Sequence, residues 1–181
     1  MIRCYITDRL SLPPGVSLLD AIARARADWV QIREKDLPAR ELFELVKRAL
    51  NFGKKIIVNT RMDVALAAGA AGVHLPDGSI DPDRLRTIAP PGFLIGVSCH
   101  SVENVVKNAQ KGANYVFLSP IFAPLSKSSN LPPLGLEKLS TASKAVSIPI
   151  LALGGITESN AQSCADHGAA GIAAISLYQR C

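Results

Sequence analysis

The stretch AAGAAGVHL, at residues 67–75, passes from a Gly-Ala helix ending straight into a short apolar run. Two other stretches have the same form, QKGANYVFL at 110–118 and DHGAAGIAAI at 166–175. A helix that closes on glycine and continues directly into a buried strand is typical of a repeated α/β unit. The repetition therefore predicts strands that alternate with helices along the chain.

Short apolar runs of this kind recur from one end of the sequence to the other. Most intervals between them carry apolar residues at helical spacing, which indicates crossover helices. Runs that are apolar without alternation are typical of parallel strands buried on both faces. The eight runs are 2–7, 29–32, 55–59, 72–75, 93–98, 115–118, 150–153 and 171–175. They predict one compact α/β domain over 1–181, a (β/α)8 barrel of the TIM type, with an open doubly wound sheet as the alternative.

The length limits how such a barrel can be built. A barrel of this type usually needs about 250 residues, so at 181 residues nearly every loop must be short. The sequence stops just after the eighth run, which predicts that the last helix is truncated to a stub or absent. An uncovered eighth strand would expose an apolar flank that a homodimer could bury, and a homodimer is therefore a hypothesis.

Composition argues against several classes of protein. The net charge of +5 is scattered, and only 5% of residues are aromatic, so we expect no nucleic-acid partner. No apolar run reaches the roughly 18 residues of a membrane span, and the start lacks the features of a secretion signal. The cysteines have no C-x-x-C spacing, which argues against a zinc or redox motif and favours reduced thiols in the cytoplasm. They are Cys4, Cys99, Cys164 and Cys181.

The end of the second predicted strand carries two cations. Alternation places Gln31, Arg33 and Lys35 on one side of the chain, which would be the barrel interior. Cations in a low-dielectric site need a counter-charge, so they imply either a bound anion or an internal network with a buried carboxylate.

Other polar residues also fall at predicted carboxyl ends of strands, where barrel enzymes place their active sites. They are Asn59, Thr60, Arg61, His74, Asp77, Ser98 and His100. Each of His74 and His100 is either a structural hydrogen-bonding residue or a catalytic one, whereas His167 is expected to cap a helix. Glycine-rich loops after the last two strands form the usual phosphate site of this fold, which points to Gly154, Gly155, Ile175 and Ser176.

One interval breaks the alternation of strand and helix. Residues 119–135 read SPIFAPLSKSSNLPPLG, with four prolines and no helical period. A long loop after a barrel strand is where a lid or binding loop belongs, although a disordered linker would read similarly.

These motifs, in this order, resemble the thiamine phosphate synthase family, which also contains the thiazole tautomerases. The matching segments are YITD, VQIREKD, IIVNTRMDVAL, AAGVHLPDGS, IGVSCHS, GANYVFLSPIF with Lys127, PILALGGIT and AAGIAAIS. Family synthases join a pyrimidine pyrophosphate to a thiazole phosphate and release pyrophosphate. The resemblance therefore implies a transferase of thiamine biosynthesis with these two phosphorylated ligands.

The resemblance also implies roles for individual residues. Arg33, Lys35, Asn59, Ser98 and Lys127 would contact the pyrimidine pyrophosphate, while Gly155, Ile175 and Ser176 would hold the thiazole phosphate. We take Lys127, Ser98 and His100 as the catalytic candidates. The substrate-binding candidates are Gln31, Arg33, Lys35, Asn59, Gly154, Gly155, Ile175 and Ser176.

The sequence departs from the family where the family binds Mg²⁺. Thr60 stands where the synthases usually have the first acid, and Ser79 stands at the position of the second, with Asp77 displaced by two residues. Asp77, or else Asp63, is the remaining candidate ligand for a weakened Mg²⁺ site. Three functions stay open: a synthase, a metal-independent tautomerase-like isomerase that uses His100, and a non-catalytic binder of thiazole or thiamine phosphate.

Overall fold

Each strand pairs in parallel with its sequence neighbours, and the last strand pairs with the first. The computed structural model describes residues 1–123 and 131–179. The strands are β1 Ile2–Ile6, β2 Trp29–Ile32, β3 Lys55–Asn59, β4 Gly72–Leu75, β5 Leu94–Cys99, β6 Tyr115–Leu118, β7 Ile150–Leu153 and β8 Gly171–Ala174. Because β8 pairs with β1, with Cys4 opposite Ala173, the sheet closes into a barrel. The predicted barrel is confirmed, and the open sheet is wrong.

The helices lie between consecutive strands, as the alternation predicts. They are α1 Leu18–Arg24, α2 Ala39–Ala49, α3 Met62–Ala68, α4 Pro82–Arg86, α5 Val102–Gln110, α6 Gly135–Ala145, α7 Glu158–Asp166 and α8 Ser176–Gln179. Short 3-10 turns occupy Arg9–Ser11 and Leu50–Phe52. The side chains of Ser17 and Ser101 cap the N-termini of α1 and α5, which satisfies N–H groups that would otherwise lack a partner. Across the described ranges, no helix has the length and apolar character needed to cross a membrane.

Two apolar cores lie on the two faces of the barrel wall. The outer core packs the helices onto alternate strand residues, such as Val58 and Ile95. The inner core fills the barrel with Cys4, Ile6, Tyr115, Phe117, Leu151 and Ala173. A Cβ on Gly96 would overlap the Tyr115 ring, so glycine at this position makes room for the tyrosine. Cys4 and Cys99 are 1% and 0% exposed, as expected of small core residues.

The predicted helix stub is present as the four-residue α8. Tyr178 packs against Tyr5 with ring centroids 5.6 Å apart, and Gln179 donates to the Tyr5 hydroxyl at 3.1 Å. An ion pair of 2.8 Å between Arg3 and Glu158 joins β1 to α7 over the same seam. Ile172 of β8 is fully buried within one chain. The apolar flank that an uncovered eighth strand would expose is therefore not found among the described residues, and the homodimer stays a hypothesis.

Candidate active site

A cavity of about 590 Å³ opens at the carboxyl ends of the strands. Ile6, Phe117, Leu153 and Ile175 give it an apolar wall, and they come from or directly follow β1, β6, β7 and β8. Polar groups face them from the remaining side of the barrel: Gln31, Asn59, Asp77, Ser98 and His100. An apolar cavity with a few convergent polar groups at this end of a barrel is the usual form of a ligand site.

Side-chain amides of neighbouring strands form a hydrogen-bonded row on the cavity floor. Gln31 donates through Nε2 to Asn59 Oδ1 at 2.9 Å, and Asn59 donates through Nδ2 to Thr60 Oγ1 at 2.7 Å. Thr60 adopts a left-handed φ of 66°, which is uncommon for a β-branched residue. Gln31 is only 2% exposed, and within the described residues its Oε1 atom has no hydrogen-bond donor. A buried acceptor without a donor is costly, so Gln31 suits a ligand that brings an N–H group.

Three cations border the cavity. Arg33 and Lys35 do so as part of the run from Gln31 to Lys35, all of which lines the cavity, and Arg61 joins them from the end of β3. Arg61 is paired with Asp63, with Nε 2.9 Å from Oδ1. Among the residues that the structure describes, neither Arg33 nor Lys35 forms an ion pair with a carboxylate. The internal network that was the alternative to a bound anion is therefore not found there.

Ser98 reaches the cavity, while His74 lies behind it. His74 Nε2 is 2.9 Å from Ser98 Oγ, and His74 Nδ1 is 3.1 Å from the Tyr115 hydroxyl. The His74 ring also stacks on Phe117 with centroids 4.1 Å apart. Burial lowers the pKa of His74 to about 3, so this histidine is neutral near pH 7. His74 therefore has the structural role, supporting Ser98 from the core.

His100 borders the cavity from the end of β5. Its Nδ1 atom lies 2.7 Å from the carbonyl oxygen of Ser119. A carbonyl oxygen can only accept, so Nδ1 carries the proton and a neutral ring keeps its lone pair on Nε2. His167 caps α7, with Nδ1 2.7 Å from Ser163 O, as expected from the sequence.

The carboxylates do not assemble into a metal centre within the described ranges. Asp77 borders the cavity, and its Oδ1 atom accepts from Gly78 N at 3.0 Å and from Asn104 Nδ2 at 3.4 Å. Asp63 is held by Arg61 and does not line the cavity, nor does Ser79. No group of three or more His, Cys, Asp or Glu side chains is arranged to hold a metal ion in this part of the chain.

The two glycines after β7 pack tightly against the segment that follows β6. Gly154 and Gly155 have φ values of 95° and 65°. A Cβ on Gly154 would lie 2.7 Å from Pro120 Cα, and one on Gly155 would lie 2.7 Å from Phe122 Cβ. Phe122 N also donates to Gly154 O at 3.0 Å. These contacts explain on steric grounds why both positions are glycine. Neither glycine lines the cavity at the carboxyl ends of the strands. Their role in binding phosphate stays a prediction.

Two other predicted positions have different outcomes. Ile175 lines the cavity, whereas Ser176, the first residue of α8, is not among its lining residues. Lys127 lies outside the described residues, together with the rest of 124–130 in the proline-rich loop.

Sequence reasoning missed the acid between the two cavity cations. Glu34 is 5% exposed and accepts hydrogen bonds from Thr7 and Arg9, which follow β1. The available signal was an acidic residue at a position where alternation continues a buried strand. Its partners could not be read locally, because they lie at least 25 residues away.

The comparisons with known proteins agree with this geometry. A family model described as thiamine monophosphate synthase matches residues 4–177. The chain belongs to this family. The thiamine-phosphate synthase of Methanoculleus marisnigri is 45% identical over 85% of this chain and 75% of that protein. The thiamine-phosphate synthase of Chlorobium luteolum is 38% identical over 99% of this chain and 85% of that protein.

A solved structure of a thiamine phosphate pyrophosphorylase from Pyrococcus furiosus superposes with a TM-score of 0.84. It is 33% identical, and the match covers 97% of this chain and 85% of that one. The predicted membership of the thiamine monophosphate synthase family is therefore confirmed. The names of the relatives favour the synthase, a transferase, over the isomerase and the non-catalytic binder.

Proposed function

We propose that this chain joins a hydroxymethylpyrimidine pyrophosphate to a thiazole phosphate, the reaction that its resemblance to the thiamine phosphate synthases implies. In this reaction the bond from the pyrimidine methylene carbon to the pyrophosphate oxygen breaks, and its electron pair leaves with pyrophosphate. The thiazole nitrogen then forms the new bond to that carbon. The observation that carries the proposal is the pair Arg33 and Lys35, which border the cavity free of carboxylate partners within the described residues.

The two sides of the cavity would have different roles, the polar side in binding the pyrimidine pyrophosphate and the apolar side in excluding water. Arg33 and Lys35 would bind the pyrophosphate and stabilise the charge that grows on it as the bond breaks. The unpaired Oε1 atom of Gln31 would accept from the amino group of the pyrimidine. Neutral His74, donating through Nε2 to Ser98 Oγ, would leave the Ser98 hydroxyl free to donate to a phosphate oxygen. The apolar wall around Phe117 and Leu153 would exclude water from the reactive carbon.

The thiazole phosphate is assigned to the ends of β7 and β8. Ile175 lines the cavity there, and Gly155 and Ser176 follow β7 and β8, which pair with each other. Lys127 is the remaining candidate for the pyrophosphate.

The family resemblance implies Mg²⁺, and the residues present fit it only in a reduced form. Magnesium is commonly bound through one or two carboxylates together with substrate phosphates and water. Within the described residues Asp77 supplies one such carboxylate to the cavity, since Arg61 holds Asp63 and Arg9 holds Glu34. Asp77 would thus hold an ion carried chiefly by the pyrophosphate, and that ion would offset the charge of the leaving group.

The experiment that tests the proposal is turnover with both substrates and Mg²⁺, followed by oxidation of the product to fluorescent thiochrome. The expected result is thiamine phosphate formation that stops with EDTA and returns with added Mg²⁺. A folded protein that gives no product would refute the synthase. Product formation that is unchanged in EDTA would refute the magnesium assignment alone.

Location and assembly belong to the proposal as well. The buried, isolated cysteines Cys4, Cys99 and Cys164 are free thiols, which favours a reducing cytoplasm. A homodimer is kept as a hypothesis, and light scattering of the purified protein decides it.

A further inference from the structure

A buried carboxylate ties the segments after β1 and β2 together beside the cavity. Glu34 lies between Arg33 and Lys35, and its side chain is 2% exposed. The Thr7 hydroxyl donates to Glu34 Oε1 at 2.6 Å, and the backbone N–H of Arg9 lies 3.2 Å from both carboxylate oxygens. Burial of an ionised carboxylate is costly unless it is paired and hydrogen-bonded, and Glu34 is both.

The same threonine also holds the backbone of the neighbouring cation. Thr7 Oγ1 accepts from Arg33 N at 2.9 Å, and Thr7 N donates to Gln31 O at 2.9 Å. The strand β2 itself ends at Ile32. Beyond that point a turn begins at Glu34, with Leu37 N bonded to Glu34 O at 3.4 Å, and the side chains of Thr7 and Glu34 hold the chain where it enters this turn. These contacts fix the segment that carries Arg33 and Lys35 at the cavity.

Arg9 binds the carboxylates of the two acidic residues that flank Lys35 in the sequence, Glu34 and Asp36. Its guanidinium lies 3.3 Å from Glu34 Oε2 and forms two hydrogen bonds to Asp36, of 2.7 and 2.6 Å. Lys35 stands in sequence between these two acids, and both are engaged by Arg9 rather than by Lys35. The positive charge of Lys35 is therefore left available to an anion in the cavity.

From these contacts we propose that Glu34 is a positioning residue of the pyrophosphate subsite. Glu34 borders the cavity, but its carboxylate is engaged by Thr7 and Arg9, so it acts through the placement of Arg33 and Lys35. Arg9 is its counter-charge and keeps both neighbouring acids from neutralising Lys35. The identity of the anion, a pyrophosphate, rests on the proposed function.

The test is the substitution Glu34→Gln, read out by calorimetric binding of inorganic pyrophosphate and by the KM of each substrate. The Kd for pyrophosphate should rise about tenfold, the order seen when a residue that supports a binding group is removed. The KM of the pyrimidine pyrophosphate should rise in parallel, while the KM of the thiazole phosphate stays unchanged. Loss of the negative charge of Glu34 would by itself lower the Kd for an anion. A higher Kd in Glu34→Gln therefore indicates that Arg33 and Lys35 are no longer positioned correctly.

Matched variants separate position from charge. Asp36→Asn removes the same charge from the other side of Lys35, at a carboxylate that is 53% exposed and lacks the buried tie. It should bind pyrophosphate at least as tightly as the wild type. Thr7→Val should weaken binding as Glu34→Gln does, whereas Thr7→Ser, which keeps the hydroxyl, should restore it. Thermal unfolding checks that each variant is folded, and Thr7→Val carries the test if Glu34→Gln does not fold.

The outcomes distinguish this inference from the proposed function. A Kd for folded Glu34→Gln within about twofold of the wild type would overturn the role of Glu34. Equal weakening by Glu34→Gln and Asp36→Asn would do the same, as would a wild-type protein that binds no pyrophosphate. Because this binding needs no turnover, a wild-type protein that binds pyrophosphate but makes no thiamine phosphate refutes only the synthase.

Discussion

The Nε2 atom of His74 lies 2.9 Å from the Oγ atom of Ser98, at the boundary between the barrel core and the cavity. His74 is 1% exposed, and Tyr115 contacts its other ring nitrogen. A neutral imidazole has one N–H group and one lone pair, so it donates to one of these hydroxyls and accepts from the other. The neutral ring thus gives both hydroxyls a hydrogen-bond partner without placing a charge in the core.

The burial of His74 predicts a pH dependence of stability. The pKa of His74 is lowered to about 3 in the folded protein, whereas the unfolded chain titrates near 6.5. Between these values the unfolded state binds more protons, so the stabilisation is complete above pH 6.5 and is lost as the pH falls towards 3. The slope from this one group is at most about 1.4 kcal/mol per pH unit. Urea unfolding at several pH values measures it.

A variant isolates the contribution of that histidine. His74→Gln should reduce the slope of unfolding free energy against pH by an amount that corresponds to uptake of at most one proton on unfolding. His167→Asn, at the helix cap, should leave the His74 contribution to that slope in place. Equal slopes in His74→Gln and the wild type would contradict the assignment.

The packing of Gly154 predicts a loss of stability on substitution. Gly154→Ala places a methyl group 2.7 Å from Pro120 Cα at a φ of 95°. The left-handed backbone and the overlap together should lower the free energy of unfolding by about 3 kcal/mol. Gly92 has a similar φ of 80° but open space around it, so Gly92→Ala isolates the backbone cost, about 1 kcal/mol. Equal losses in the two variants would mean that the close approach to Pro120 has no energetic weight.

The fold was predictable because its signals are local. Gly-Ala helix endings followed by short apolar runs mark the strands. The bounds differ by one residue at the ends of β1 and β8 and at both ends of β5, which is predicted at 93–98 and observed as Leu94–Cys99. Phe93 N bonds to Pro90 O in a turn, so the ladder begins at Leu94 opposite Gly72. Periodicity does not carry that distinction, because Phe93 is as apolar as the strand that follows.

The site was predictable in its position at the carboxyl ends of the strands. Alternation along β2 predicts Gln31 and Arg33 at the cavity, and both line it, but so do Ile32 and Glu34, which alternation assigns to the other side. The contact between Gln31 and Asn59 depends instead on the register of β2 against β3, which no local pattern carries. The sequence offers Asp63 as a candidate metal ligand, yet Arg61 two residues earlier forms an ion pair with it.

The position of Asp77 predicts how the enzyme responds to magnesium. Asp77→Asn removes the one carboxylate that the described residues offer to the ion, because Asp63 and Glu34 are bound by arginines. The Mg²⁺ concentration for half-maximal turnover should rise about tenfold, which corresponds to about 1.4 kcal/mol of lost binding. Asp83→Asn, at an exposed position on α4, is the matched control and should not change it. An unchanged requirement in Asp77→Asn would show that the pyrophosphate alone carries the ion.

The free charge of Arg33 predicts both the affinity for the pyrimidine substrate and its salt dependence. Arg33→Ala removes a cation that no carboxylate of the described residues neutralises, and a charge-assisted contact is worth about 2 kcal/mol, so the KM should rise about 30-fold. Salt screens such a contact, so the wild-type KM should increase with ionic strength, and this increase should be smaller in Arg33→Ala. Arg48→Ala removes an equal charge from the exposed side of α2 and is the control. If both variants raised the KM equally, the net charge of the protein, rather than the placement of Arg33 at the cavity, would govern substrate binding.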